Sequence, residues 1–228
     1  VYIDNSKTLA EWEKSLANAG ANGKIRVEGG AKLEQARKKD HKFDITETAV
    51  NKVALVNTPL FSDEQNLSLR EMHQDLLRIA KQENDGNEVA LISTNRFTKP
   101  CIKVIGTENS VNYDDDINVL SLKRKSYAME LVMAHNHPTT QSFSFADLAI
   151  FVIDEYIGTM SVVTNQGQVH IMQKLANFDY KSARHLLDTL IDKYELLQYP
   201  DDAERQLAAA RDFVKKNRKV GIWHEDGK

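Results

Sequence analysis

Disulfides are the first thing this sequence cannot make: it holds one cysteine, Cys101, in 228 residues. Zinc sites built from thiolates are excluded with them. Such a chain fits a reducing compartment, or a secreted protein that does without staples. Four prolines and ten glycines are few for a protein of tight hairpins, so helices should be plentiful. No apolar run approaches the roughly 20 residues of a membrane span; the longest, Leu148 to Ile153, is closed by Asp154 and Glu155. Neither sign of charge dominates, with 30 Lys and Arg against 33 Asp and Glu and a net charge of -3. A protein working mainly on nucleic-acid phosphates usually carries a basic excess, so that class loses ground. No signal-peptide pattern opens the chain. It begins on Val1 rather than Met, which reads as a segment cut from a longer protein.

What is present is ordinary for a globular protein: 41% apolar and 28% charged residues. Residues 1–55 read as a partly helical N-terminal segment and possible linker. Leu9, Trp12 and Leu16 share a helical face, four glycines fall between residues 20 and 30, and a strongly charged stretch follows from Ala31. Residues 56–228 read as the main domain. Ser62 and Gln65 make a capping box, and Leu69, Met72, Leu76 and Ile79 mark the buried stripe of a helix ending near Gly86. Strand-like runs follow at Glu88–Thr94 and Cys101–Gly106, a helix at Ser121–Met129, and a short buried strand at Leu131–Ala134. Phe145–Tyr156 reads as a helix. Asn165-Gln166-Gly167 should turn a hairpin between Met160–Thr164 and Gln168–Met172. Two helices, one carrying Ala183, Leu187, Leu190, Tyr194 and Leu197 and one at Ala203–Lys216, precede a last short strand at Val220–Trp223. The order implies an α+β fold, a mixed sheet flanked by helices with extra helices at both ends.

Chemistry concentrates between Met133 and Asp147. Residues i and i+2 of an extended chain point to one side, so His135 and His137 can grip one cation, and Pro138 turns the chain away. Asp147, ten positions past His137 in the first turn of the next helix, could return as a carboxylate ligand. Two imidazoles and a carboxylate, with a position left for water, is the composition of a catalytic zinc site. Such a metal lowers the pKa of its water from about 16 towards about 7, and a general base must then take the proton. The plainer reading is two surface histidines and an S-x-x-D capping box at Ser144 and Asp147.

Taken together, E…H-x-H-P…S-x-x-D resembles the JAB/MPN-type (JAMM) metalloprotease motif, and H-N-H-P is similar to its RadC-like branch. The core resemblance spans residues 62–175. The flanks, including Phe213-Val214-Lys215 and Val220-Gly221-Ile222-Trp223, are similar to JAB-like domains of phage minor-head and bacterial toxin-like proteins. The resemblance implies a mixed sheet of the cytidine-deaminase-like/JAB type, with 176–228 as a helical extension. It implies Zn2+ held by His135, His137 and Asp147, with Ser144 donating to the oxyanion and an upstream glutamate as general base. Glu88, opening an apolar strand, fits that role best; Glu108 and Glu130 are its rivals. The family pattern has seven residues between the second histidine and the serine, and Pro138–Phe143 supply six; Ser142 is a poorer alternative because it breaks the S-x-x-D spacing.

The implied function is a zinc-dependent peptidase or isopeptidase. Its partner would be a protein or peptide, ubiquitin-like or of phage or host origin, with no membrane; the acidic balance disfavours nucleic acid. Its location would be the cytoplasm of a bacterium or phage-infected cell, or outside it as part of a larger toxin. A catalytically silent JAB-like binding module and a metal-dependent nuclease, the latter prompted by Lys123-Arg124-Lys125, are the alternatives. Elsewhere, Cys101 reads as a small strand residue, Asp114-Asp115-Asp116 as a solvated turn, and His73, His170 and His185 as isolated surface or packing residues. Trp12 and Trp223 read as packing residues near the two ends.

Overall fold

A computed structural model describes residues 42–197, 199 and 201–227. The readings made for Leu9, Trp12, Leu16 and the glycines of residues 20–30 therefore lie outside the described residues. The first described elements are helices α1 (Glu47–Lys52) and α2 (Asp63–Glu83). The capping box of α2 is present: Gln65 N donates to Ser62 Oγ at 3.3 Å, and Ser62 N donates to Gln65 Oε1 at 2.8 Å. This satisfies two of the amide donors that every helix start leaves without a partner.

Six strands follow: β1 (Val89–Thr94), β2 (Ile102–Ile105), β3 (Leu131–His137), β4 (Ile157–Thr164), β5 (Val169–Lys174) and β6 (Ile222–Gly227). They form one mixed sheet in the order β2-β1-β3-β4-β5-β6. Only the central pair, β3 and β4, is parallel; every other pair is antiparallel. A parallel pair requires a crossover, and here helix α4 (Phe145–Ile153) supplies it. Both central strands are buried along their whole length. The molecule is thus α+β, a mixed sheet with helices on both faces.

Side chains of β3 alternate between those faces. Leu131 and Met133 join the core beneath α4 and the C-terminal helices α5 (Tyr180–Glu195) and α6 (Asp202–Lys216). Val132 and Ala134 join the core beneath α1 and α2. Phe151 and Leu148 of α4 are fully buried, each stabilising the fold by roughly 1.5–3 kcal/mol through the apolar surface removed from water. Ile45, Val50 and Val53 belong to the second core, so the packed body already includes residues expected to form a linker. The hairpin at Gly167 is present. Its φ is +81°, and a Cβ there would stand 2.2 Å from the Ala49 carbonyl oxygen, so only glycine fits.

Several elements differ from their expected limits. Strand β3 runs on to His137 rather than stopping at Ala134, β4 starts at Ile157 rather than Met160, and β5 runs to Lys174 rather than Met172. Helix α4 stops at Ile153 rather than Tyr156 because Asp154 caps it in an extended conformation. The helix placed at Ser121–Met129 is α3, Ile117–Lys123, because Asp116 caps it by accepting from Asn118 N and Val119 N. Met129 instead takes a positive φ of 60° that no helix tolerates. The last strand starts later and runs further than expected, since Asn217–Val220 coil into a 3-10 turn. Among the described residues no helix is long and apolar enough to cross a membrane.

Candidate metal centre

The centre forms where β3 ends and α4 begins, at the carboxyl end of the parallel pair. Period-two alternation sends His135 and His137 to the α4 face of the sheet. Both are buried, at 2% and 8% exposure. The chain then leaves through Pro138 and re-enters at Ser144, the N-cap of α4. The six-residue connection still delivers Asp147 to both histidines. Its Oδ1 stands 3.2 Å from His135 Nε2 and its Oδ2 3.5 Å from His137 Nε2, while the two Nε2 atoms are 3.1 Å apart.

These separations suit a cation. Donors about 2.0–2.1 Å from one ion, set at tetrahedral angles, stand about 3.3–3.4 Å from each other. The tautomer agrees for one imidazole: His137 Nδ1–H donates to the Gln141 carbonyl at 3.1 Å, which leaves the Nε2 lone pair turned inward. His135 Nδ1 is buried with no partner among the described residues. Three buried acceptor atoms facing one another repel unless a cation or a proton lies between them. The electrostatics show that demand. Burial alone would lower the His137 pKa, yet the Asp147 carboxylate, Glu88 and the Gln141 carbonyl raise it to about 9. Burial likewise opposes ionisation of Asp147, and the two histidines outweigh it, holding its pKa well below the usual carboxylate range. These residues could hold a metal ion.

Glu88 stands beside this group. Ala90 pairs with His135 across β1 and β3, and continuing that antiparallel register sets Glu88 opposite His137, on the same face. Burial, to 7% exposure, raises its pKa, partly offset by His135 and His137. A carboxylate held this way is a stronger base than an exposed one. Its backbone is pinned to the chain just past β2, where Glu88 N donates to Thr107 O and Gly106 N donates to Glu88 O.

Asn136, which the sequence reading passed over, pins the other side. Its side chain points to the α2 face, where Oδ1 accepts from Val89 N at 2.8 Å and Nδ2 donates to Asn87 O at 3.1 Å. Asn136 Nδ2 also donates to Asn165 Oδ1, whose own amide reaches Phe43 O and Gly86 O. The amide of Asn136 thus grips the residues on either side of Glu88. Its only signal in the sequence is its place between the two histidines.

A cavity of about 350 Å³ opens over the centre. Glu88, Ser144 and Asp147 line it with Tyr113 and Glu108 of the β2–α3 loop and Ala203 of α6. Glu108 therefore shares the cavity with Glu88, whereas Glu130 is occupied elsewhere: it accepts from Tyr127 N and pairs with Arg96. Ser144 Oγ donates to Asp147 Oδ2 at 2.7 Å and accepts from Asp147 N. The residue is thus both cap and neighbour of the centre. Lys123, expected on a solvated basic face, is largely enclosed and bridges Asp114 (2.9 Å) and Asp154 (2.7 Å), tying the cavity loop to α4. Asp116 and Asp114 thus do the work of a cap and an anchor where a solvated turn was expected.

The other histidines divide. His73 is wholly inside, its Nε2 2.7 Å from Ser161 Oγ. His170, read as isolated, instead meets Asp226 and, through it, His224. Cys101 is half-buried ahead of β2, with its thiol pKa raised by burial. Trp223 packs against the α1–α2 core. Comparison of the chain with protein-family models, with curated proteins and with solved structures finds no match in any of the three.

Proposed function

We propose that this chain is a zinc-dependent hydrolase of the JAB/MPN type, with a mixed sheet of the JAB and cytidine-deaminase kind, cleaving peptide or isopeptide bonds. The observation that carries the reading is the convergence of His135, His137 and Asp147 in one cavity with Glu88 across the strand from His137. Imidazole and carboxylate donors suit Zn2+ among the common metals. Such an ion, when bound, polarises a carbonyl and makes water acidic near neutral pH.

The chain's own residues supply the rest. Glu88, made basic by burial, accepts the proton from attacking water and returns it to the departing amine. Asp147 fixes the rim of α4 against the two imidazoles. Ser144, freed from Asp147 by rotation of its hydroxyl, would donate to the oxyanion; one preorganised donor of this kind is typically worth about 3 kcal/mol of barrier. A protein or peptide is the substrate class that fits a net charge of -3 and a cavity edged by Glu108. The site is read as working inside a bacterial or phage-infected cell.

The test pairs metal content with cleavage of peptide and ubiquitin-like isopeptide substrates. Stoichiometric zinc, with cleavage abolished by Glu88→Gln and by His135→Ala, is the expected result. A protein that takes up no zinc, and behaves identically after His135→Ala, overturns the reading. A second reading, a silent binding module, draws on the Ser144 hydroxyl being spent on Asp147. It gains if zinc binds but Glu88→Gln changes nothing.

A further inference from the structure

The sheet carries another cluster of metal-type donors on the same face. Ala90, His135, Val162, His170 and Asp226 are successive partners across β1, β3, β4, β5 and β6. They form one lateral row. His224 lies two residues before Asp226 on β6 and so shares its side. His170 Nδ1 is 2.6 Å from Asp226 Oδ1, and His224 Nε2 is 3.1 Å from that same oxygen. One nitrogen of each histidine and the carboxylate oxygen lie within 4.8 Å of one another. The arrangement repeats the logic of the first centre, with H-x-D on β6 where β3 has H-x-H.

Burial divides the cluster in a useful way. Each imidazole is 15% exposed while Asp226 is 58% exposed. Two positioned nitrogens therefore face an exposed carboxylate, whose oxygen would draw back from His170 by about 0.7 Å to reach the spacing of donors around one tetrahedral ion. Hydrogen bonding to Asp226 serves only one nitrogen of His170, because its Nε2 is buried with no partner among the described residues. Nitrogen-rich donors of this sort favour zinc-like ions over magnesium or calcium.

The cluster stands apart from the first centre. Two strand spacings of about 4.8 Å put His170 roughly 10 Å from His135, beyond the 3.5–4 Å of paired catalytic metals. The buried Phe143 ring, 6.2 Å from the His224 ring, packs edge-on there.

We propose that His170, His224 and Asp226 form a second, independent zinc-type cation site that clasps the C-terminal strand β6 to β5. Its position fits that role. β6 is an edge strand, and the site lies near its far end, opposite the start of β5. An ion bound by both strands in the folded state alone must strengthen their pairing.

The experiment is a Zn2+ titration of the metal-stripped full chain by equilibrium dialysis, with Co2+ absorption and imidazole 15N shifts recorded in parallel. The expected result is about two equivalents for the wild type, and about one each for His135→Ala/His137→Ala and for His224→Ala. Asp226→Asn, at an exposed position, should also lose one equivalent while keeping the wild-type circular dichroism. The His170 and His224 signals should move on zinc addition in the His135→Ala/His137→Ala protein. If that variant binds no metal and those signals stay fixed, the proposal is overturned. If the wild type binds one ion that only His224→Ala or Asp226→Asn removes, the clasp stands and the first centre's reading falls.

Discussion

Asn136 and Val89 are joined across the sheet by a 2.8 Å bond from the Val89 amide to the Asn136 side-chain oxygen. Through it, the face that carries no metal ligands holds the neighbour of Glu88 in place. Asn136 is wholly buried, so removing its amide leaves Val89 N, Asn87 O and Asn165 Oδ1 short of partners.

Asn136→Ala should therefore destabilise the protein by about 2–4 kcal/mol, the usual cost of several buried polar groups left unmatched. Urea unfolding measures it. The two imidazoles point the other way, so zinc uptake should persist in the folded variant. An unchanged midpoint would show that these bonds hold nothing.

Metal binding should be steeply pH-dependent. His137, at about 9, carries a proton at neutral pH that an incoming ion must displace. Apparent affinity should weaken by up to about tenfold for each pH unit below 9, with about one proton released per ion. Calorimetry in two buffers of different ionisation heat measures that proton directly.

His73 should make the fold acid-sensitive. Burial lowers its pKa from 6.5 to about 3, so the folded protein keeps it neutral where the unfolded chain would protonate it. Its contribution is complete above pH 6.5 and is lost as pH falls towards 3. The loss amounts to about 4–5 kcal/mol at 1.36 kcal/mol per unit. Denaturant titrations of wild type and His73→Gln between these limits check it, the variant showing the shallower slope.

Lys174 should act in the same direction at alkaline pH. It is 2% exposed, donates to the Asp154 carbonyl and sits between the rings of Phe151 and Phe178. Burial lowers its pKa from 10.5 to about 8. Between those values the unfolded chain binds the proton more tightly, so stability should rise with pH across the window, by about 2–3 kcal/mol. Lys174→Met should flatten that rise, read as unfolding midpoints at pH 8 and 10.

What the sequence disclosed was local. Ser62 with Gln65, Ser144 with Asp147, and the Gly167 turn each act over three or four residues, so spacing alone revealed them. Helix α3 was displaced because its start signal, Asp116, hides in a run of three aspartates. The pairing of His170 with Asp226 and His224 was invisible, since it exists only through the β5–β6 register. Asn136 was hidden for another reason: its partners are backbone atoms, which no side-chain pattern advertises. Glu88 was singled out by the family pattern together with its place at a strand start, yet only the β1–β3 register sets it across from His137.

The alternation along β3 also decides where this protein can tolerate change in length. A slip of one residue in that strand would turn both imidazoles under α2 and push Asn136 into the cavity. An insertion or deletion between Val132 and His137 would therefore dismantle the metal centre and its support together. The connection from Pro138 to Phe143 has no alternation to keep, though the Gln141 carbonyl and the buried Phe143 ring are fixed points within it, and it is where the chain is one residue shorter than the pattern it resembles. A change in length is thus absorbed more readily in the exposed part of that loop, around Thr140, than anywhere in the strand beside it.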